Sequence, residues 1–296
     1  MDYARREFII AGLLKLYEML AHHYINTKKV EHVSDYAKGK KLLVLATGKS
    51  AKTFWESDDI QDRFSDYDIV IMNRSVYKME KEIFELRPKY IALCDSIYWG
   101  GKKKSYVGDA MARETYDKTK AVLDKIDWDC FLLTSIHEKF DIENSRIRIL
   151  RMNATPLDAI GKIGYKLYQY NFASPQIYNV SQLAIYFGIT FGYSEIGLIG
   201  MDFDFFKNIV CDERCRIVDE VEHQYDVKDN KKIQLTVNRE TEGEINGSVL
   251  AKYLRLLADT AATFGKLAIY AEKIGCKIIN YAPNSMIDCF TKERIE

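Results

Sequence analysis

Short apolar runs alternate with helically spaced stretches along most of this chain. Runs of strand length lie at Lys41 to Ala46 (KLLVLA), Tyr67 to Met72 (YDIVIM), Lys89 to Leu93, Cys130 to Thr134, Arg146 to Leu150, Ile196 to Gly200 and Lys277 to Tyr281. Helical spacing predicts helices around Lys78 to Leu86, Asp109 to Lys125, Pro156 to Tyr168, Pro175 to Phe191 and Ser248 to Ile274. Strands alternating with helices imply an α/β fold: a Rossmann-like, mostly parallel sheet with helices on both faces. Asp95 to Gly108, with Gly100-Gly101 and three successive lysines, reads as an exposed loop. The stretch from Met201 to Asn246 is polar and poorly periodic, and long segments of that kind serve as lids or binding loops. No internal repeat is present. The pattern divides the chain into an N-terminal helical extension, residues 1–38, and one domain, residues 39–296, with a lid region at about 201–246.

In the extension, Ile9, Ile10, Leu13, Leu14, Tyr17, Leu20, Ala21 and Tyr24 form one helical stripe. It reads as a helix packed on its own domain or on another subunit, which predicts a homo-oligomer. Peripheral attachment to the inner face of a membrane, aided by Arg5, Arg6 and Lys15, is the second reading. No apolar run has the ~18–20 residues of a membrane span, and no signal peptide is evident, so the expected location is the cytoplasm.

Composition narrows the partners. Lys plus Arg equals Asp plus Glu at 43 each, so no net field argues for nucleic acid. The six cysteines sit mostly beside apolar runs and read as reduced thiols. Cys211 and Cys215 are close, but no second ligand pair lies nearby, so no metal site is expected.

Ligands of parallel α/β sheets bind just beyond the carboxyl ends of the strands, near a switch point in strand order. Those positions are Thr47-Gly48-Lys49-Ser50, Asn73-Arg74, Gly200-Met201-Asp202 and Pro283-Asn284-Ser285. Gly48-Lys49-Ser50 invites comparison with a P-loop, but that motif needs a glycine five residues earlier, where Leu43 stands. The three-glycine dinucleotide fingerprint is also absent. What remains is a strand–turn–helix in which either the helix N-terminus faces an anion such as one phosphate, or Ser50 or Thr47 simply caps the helix.

Taken in order, these strand ends resemble the bacterial sialyltransferases of glycosyltransferase family 42 and related bacterial proteins of glycan or pterin chemistry. The family's Gly-Asn-Gly-Pro-Ser-like turn corresponds to Ala46-Thr47-Gly48-Lys49-Ser50, and its donor-contacting asparagine to Asn73. The best match is Gly192-Tyr193-Ser194-Glu195-Ile196-Gly197-Leu198-Ile199-Gly200-Met201-Asp202-Phe203; Pro283-Asn284-Ser285 matches the end of the last strand. Thr47 and Lys49 replace the family's asparagine and proline. Its Thr-Ser-Gly at the donor-binding helix has Ser174 or Asn179-Val180-Ser181 as counterparts, with Ser181 the residue expected at the nucleotide.

The resemblance implies an inverting, metal-independent glycosyltransferase using a CMP-linked donor, sialic acid or a related ulosonate, and a bacterial surface glycan as acceptor. No separate cofactor is expected. A histidine base and tyrosine hydroxyls act in the family. Here His223 is the expected base, with Tyr225 aiding the leaving phosphate and Asp202 orienting or fixing the loop. His137 follows a strand end and is a further candidate base. Thr47, Gly48, Lys49, Ser50, Asn73, Arg74, Ser181, Gly200, Pro283, Asn284 and Ser285 are the expected nucleotide-binding positions. Two other readings stay open: a pterin-type diphosphokinase using ATP and magnesium, and a non-catalytic scaffold in glycan assembly.

Overall fold

The structure is a computed structural model, and it describes residues 12–21, 37–99, 110–135, 142–157, 161–213, 217–221, 231–234 and 248–295. Eight parallel strands form the central sheet: β1 (Lys41–Leu45), β2 (Tyr67–Met72), β3 (Tyr90–Ala92), β4 (Cys130–Thr134), β5 (Ile147–Arg151), β6 (Glu195–Ile199), β10 (Lys277–Asn280) and β11 (Thr291–Lys292). Their spatial order is β11-β10-β6-β1-β2-β3-β4-β5. All seven strands expected from the sequence are present; β11 is an additional two-residue edge strand.

The chain runs outward from β1 through β5, then returns to the far side of β1 with β6 and continues to β10. Strand order therefore reverses at β1 and β6, which run side by side with Leu45 opposite Ile199. This reversal opens a crevice above the carboxyl ends of those two strands.

Alternation along the strands separates two cores. Leu42, Val44, Val70, Met72, Ile196 and Leu198 face one side; Leu43, Leu45, Ile71, Ile91, Leu132 and Ile199 face the other. Helices α1 (Lys52–Trp55), α2 (Asp58–Arg63), α3 (Ser75–Lys78), α4 (Glu80–Leu86) and α5 (Ala110–Lys125) contribute residues such as Phe54, Ile60, Val76, Ile83 and Leu123 to the second core. Helices α6 (Gly161–Gln169), α7 (Val180–Thr190) and α8 (Val249–Ile274) cover the first. Helix α7 is buried at ten of its eleven positions, which explains why its sequence is apolar all round.

Three boundaries differ from the sequence reading. Helix α7 begins at Val180 rather than near Pro175, because Asn179 adopts extended backbone and its side chain accepts from Gln182 N. The helix expected at Lys78 to Leu86 is two short helices, α3 and α4, meeting at Met79. The polar region after Gly200 contains a small antiparallel sheet, β7 (Ile209–Cys211), β8 (Ile217–Val221) and β9 (Lys231–Gln234). Its strands are only three to five residues long, so they leave little periodic trace.

Residues 12–21 are helical. Met19 is buried in the first core, and its carbonyl accepts from Asn153 Nδ2 at 3.2 Å. Leu13, Leu14, Leu16, Tyr17 and Leu20 are exposed. Among the described residues no helix is long and apolar enough to cross a membrane.

Candidate functional site

The site begins with a backbone crossing. Beyond β1, Ala46 N donates to Ile199 O at 2.8 Å, and Gly48 N donates to Gly200 O at 3.0 Å. The two turns thus touch along their backbones, and both need glycine where they meet. A Cβ on Gly48 would lie 2.1 Å from Asp202 Oδ2 and 2.5 Å from Gly200 O. Gly200 has φ +74°, and its Cβ would meet Ala46 O at 2.6 Å.

The side chain of Asp202 fills the space beside this crossing. Its Oδ2 accepts from Ser50 N at 3.0 Å. The short helical turn Lys49–Ala51 has Gly48 as its N-cap and no side-chain cap of its own. The Ser50 hydroxyl therefore does not cap this turn. The chain supplies its own anion, Asp202, at the turn where a phosphate was one of the two readings. Ser50 Oγ is left buried and without a partner.

Two cavities flank the crossing. The first, of about 210 Å³, lies directly above β1, β2 and β6. Thr47, Gly48, Lys49, Asn73, Ser181, Gly200 and Asp202 line it, joined by Asn179, Val180, Phe203, Asp204 and Phe264. The second, of about 660 Å³, lies towards β10 and is lined by Ser50, Thr53, Tyr281, Pro283, Asn284 and Arg294. Lys49, Asp202 and Asp204 belong to the walls of both.

Two non-glycine residues of positive φ and one unmet hydrogen-bonding group border the first cavity. Four non-glycine residues among those described have positive φ: Arg87 and Asn171, which follow helices α4 and α6, and Asn73 (+53°) and Phe203 (+50°), which line the cavity. A bulky residue such as phenylalanine rarely adopts this conformation, and such residues gather at functional sites. Asn73 Oδ1 is also buried without a partner. A buried amide oxygen in that state costs about 1–3 kcal/mol unless a ligand donor reaches it. The opposite wall is aromatic, with the Phe203 ring edge-on to Phe205 and Phe264 at centroid distances of 6.0 and 5.6 Å.

The N-terminal end of α7 closes the cavity. Asn179, Val180 and Ser181 line it, so the positive end of an eleven-residue, almost fully buried helix faces the space. Ser181 Oγ makes only a weak contact to Met72 Sδ at 3.4 Å. Ser174, the other counterpart considered for this helix, is fully buried with its hydroxyl donating to Pro175 O, away from the cavity.

Two sequence-selected positions, Ser285 and Arg74, play other parts. Ser285 is buried; its Oγ donates to Met201 O at 2.6 Å and accepts from Asn280 Nδ2 and Ile287 N. It pins the loop after β10 to the loop after β6. Met286 N reinforces this by donating to Asp202 O at 2.8 Å. Arg74 precedes α3 and lies on neither cavity wall. His223, Tyr225 and His137 lie outside the described residues, as do His22, His23, His32 and Cys215. Among the described residues, no group of three or more His, Cys, Asp or Glu side chains is placed to hold a metal ion.

Asn179, Phe264, Thr53, Asp204 and Arg294 complete the two walls. Only Asn179 carried a readable signal, as a helix cap ahead of an apolar run. No family model matches the chain, and no curated protein and no solved structure matches it either.

Proposed function

We infer that this protein is a glycosyltransferase that takes a sugar, sialic acid or a related ulosonate, from a CMP-linked donor. The carrying observation is the cavity at the strand-order reversal, where Thr47, Asn73, Ser181 and Gly200 converge from four separate elements. In this reading the base of the nucleotide enters between Asn73 and the aromatic wall of Phe203 and Phe264, satisfying the Asn73 amide. Asp202 already occupies the turn after β1, so the phosphate is better accommodated at the α7 N-terminus, beside Val180 and Ser181. Thr47, Gly48 and Lys49 close the opposite side, and Pro283 and Asn284 extend the site into the second cavity.

The cavity's size agrees with a divided ligand. At about 210 Å³ the first cavity is below the ~300–1,000 Å³ usual for whole drug-sized ligands, while the 660 Å³ neighbour is well inside that range. A nucleoside in one and a sugar in the other suits the pair. The transfer joins an acceptor hydroxyl to the anomeric carbon as the CMP phosphate leaves; His223 and Tyr225 remain the proposed base and phosphate donor.

A thermal-shift panel of CMP, CDP, UDP, GDP and ATP, each with and without magnesium, tests this. A ligand at a hundred times its Kd stabilises by about 2.7 kcal/mol. Stabilisation by CMP irrespective of magnesium is the expected outcome. Stabilisation only by ATP with magnesium would replace the transferase with a diphosphokinase, and no response to any nucleotide would leave the scaffold.

A further inference from the structure

The wall between the two cavities holds one cation and two carboxylates, and the carboxylates are not equivalent. Asp202 is committed: Oδ2 accepts from Ser50 N, and the same oxygen lies against the Gly48 backbone. Asp204, two residues on, precedes the short helical turn Phe205–Asn208, and its side chain does not cap that turn. Only its backbone carbonyl is engaged, by Lys207 N at 2.9 Å. Its carboxylate therefore stands in the partition without a structural task.

The cavities differ in chemistry. Val180, Met201, Phe203, Phe205 and Phe264 give the first a largely apolar wall. The second is the more polar of the two, with Ser50, Thr53, Asn284 and Arg294 beside the shared Lys49, Asp202 and Asp204. The unpartnered buried Asn73 Oδ1 belongs to the first, and the unpartnered buried Ser50 Oγ to the second. Each cavity thus has one lining residue with an unmet hydrogen-bonding group; the third such group among the described residues, Trp55 Nε1, borders neither.

We propose that the second cavity receives, beside the donor's sugar, the hydroxyl-bearing acceptor, and that Asp204 is a catalytic carboxylate acting between the two. This rests on the CMP-donor reading and puts Asp204, in place of His223, as the group that takes the acceptor proton. The step balances: the acceptor O–H gives its proton to Asp204 and its oxygen bonds to the anomeric carbon. The bond from that carbon to the phosphate oxygen breaks, and CMP departs with the electron pair. Thr53, exposed on α1, borders only the second cavity and controls access to Asp204 from that side.

The test uses the full chain with CMP-sialic acid and a CMP-linked deoxyoctulosonate as donor probes, following CMP release by chromatography and CMP binding by calorimetry. Asp204→Asn should bind CMP within about twofold of wild type yet release it at least 100-fold more slowly, the lower range for loss of a general base. Asp204→Glu should recover part of the rate. Thr53→Trp should keep CMP binding and slow release. Release by Asp204→Asn within threefold of wild type overturns the role, and so does a fall in rate matched by an equal fall in CMP affinity. Wild type that binds CMP but releases none from either donor also overturns it. Wild type that does not bind CMP at all overturns the donor reading instead.

Discussion

Replacing Gly200 with alanine probes the crossing that shapes both cavities. Two costs add. The residue sits at φ +74°, where an L side chain costs about 1–2 kcal/mol. Its new methyl would also lie 2.6 Å from Ala46 O, 2.8 Å from Ala46 C and 2.9 Å from the Ala51 Cβ. Two of these atoms are backbone and the third is fixed in a buried turn, so relief requires β1 and β6 to separate at their ends. Overpacking of this kind costs about 1–3 kcal/mol. The expected loss is therefore about 2–5 kcal/mol, a large share of the ~5–15 kcal/mol that holds a domain together. Gly275, the cap of α8, is the matched control: φ is +81°, and a Cβ there meets nothing within 4 Å. Gly275→Ala should lose only the strain, about 1–2 kcal/mol. Urea unfolding at 25 °C, read as the midpoint at constant slope, measures both. Equal losses in the two variants would refute the crowding argument and with it the rigid contact between the turns.

Three further outcomes follow from the same structure. Asp202→Ala strands Ser50 N and should destabilise by about 1–3 kcal/mol, whereas Asp202→Asn keeps an acceptor and should lose less than half of that; equal losses in urea would contradict the capping role. Burial pushes the thiols of Cys130 and Cys276 from 9.0 up to about 12, so both stay protonated in the folded chain after their unfolded counterparts ionise. Their contribution is complete below about pH 9 and is lost towards pH 12, at up to about 1.4 kcal/mol per pH unit for each thiol; the Cys130→Ala, Cys276→Ala double variant should show a flatter decline in urea midpoint from pH 9 to 11. Leu13→Glu with Tyr17→Glu, both on the exposed face of the 12–21 helix, should lower a concentration-dependent mass measured by light scattering, and an unchanged mass would refute self-association through that face.

The parallel sheet was legible because its strands are buried on both faces. Cys130–Thr134 is buried at every position, and such strands read as unbroken apolar runs. The position of the candidate site was legible for a topological reason: ligands of such sheets gather where strand order reverses, and the turns after β1 and β6 carried Gly48 and Gly200. What the sequence concealed depends on side chains distant in the chain. Asp202 lies 152 residues from the Ser50 amide it accepts from, so no local pattern distinguishes it from a capping Ser50 or Thr47. The positive φ of Phe203 has no residue signature, since nothing about phenylalanine favours it. Asp204 and Arg294 become neighbours of one cavity only when β6 and the C-terminal segment are brought together. Ser285 carried a motif, yet its hydroxyl is spent on joining two loops.

The central claim is that the cavity above β1, β2 and β6 binds a nucleotide through Asn73. Calorimetric titration of CMP into wild type and Asn73→Ala, without metal, tests it most directly. Wild type should bind, and the variant should bind about tenfold more weakly, since the lost hydrogen bond to a buried amide corresponds to roughly 1.4 kcal/mol. Identical affinities would place the nucleotide elsewhere, and no heat from either protein would contradict the claim.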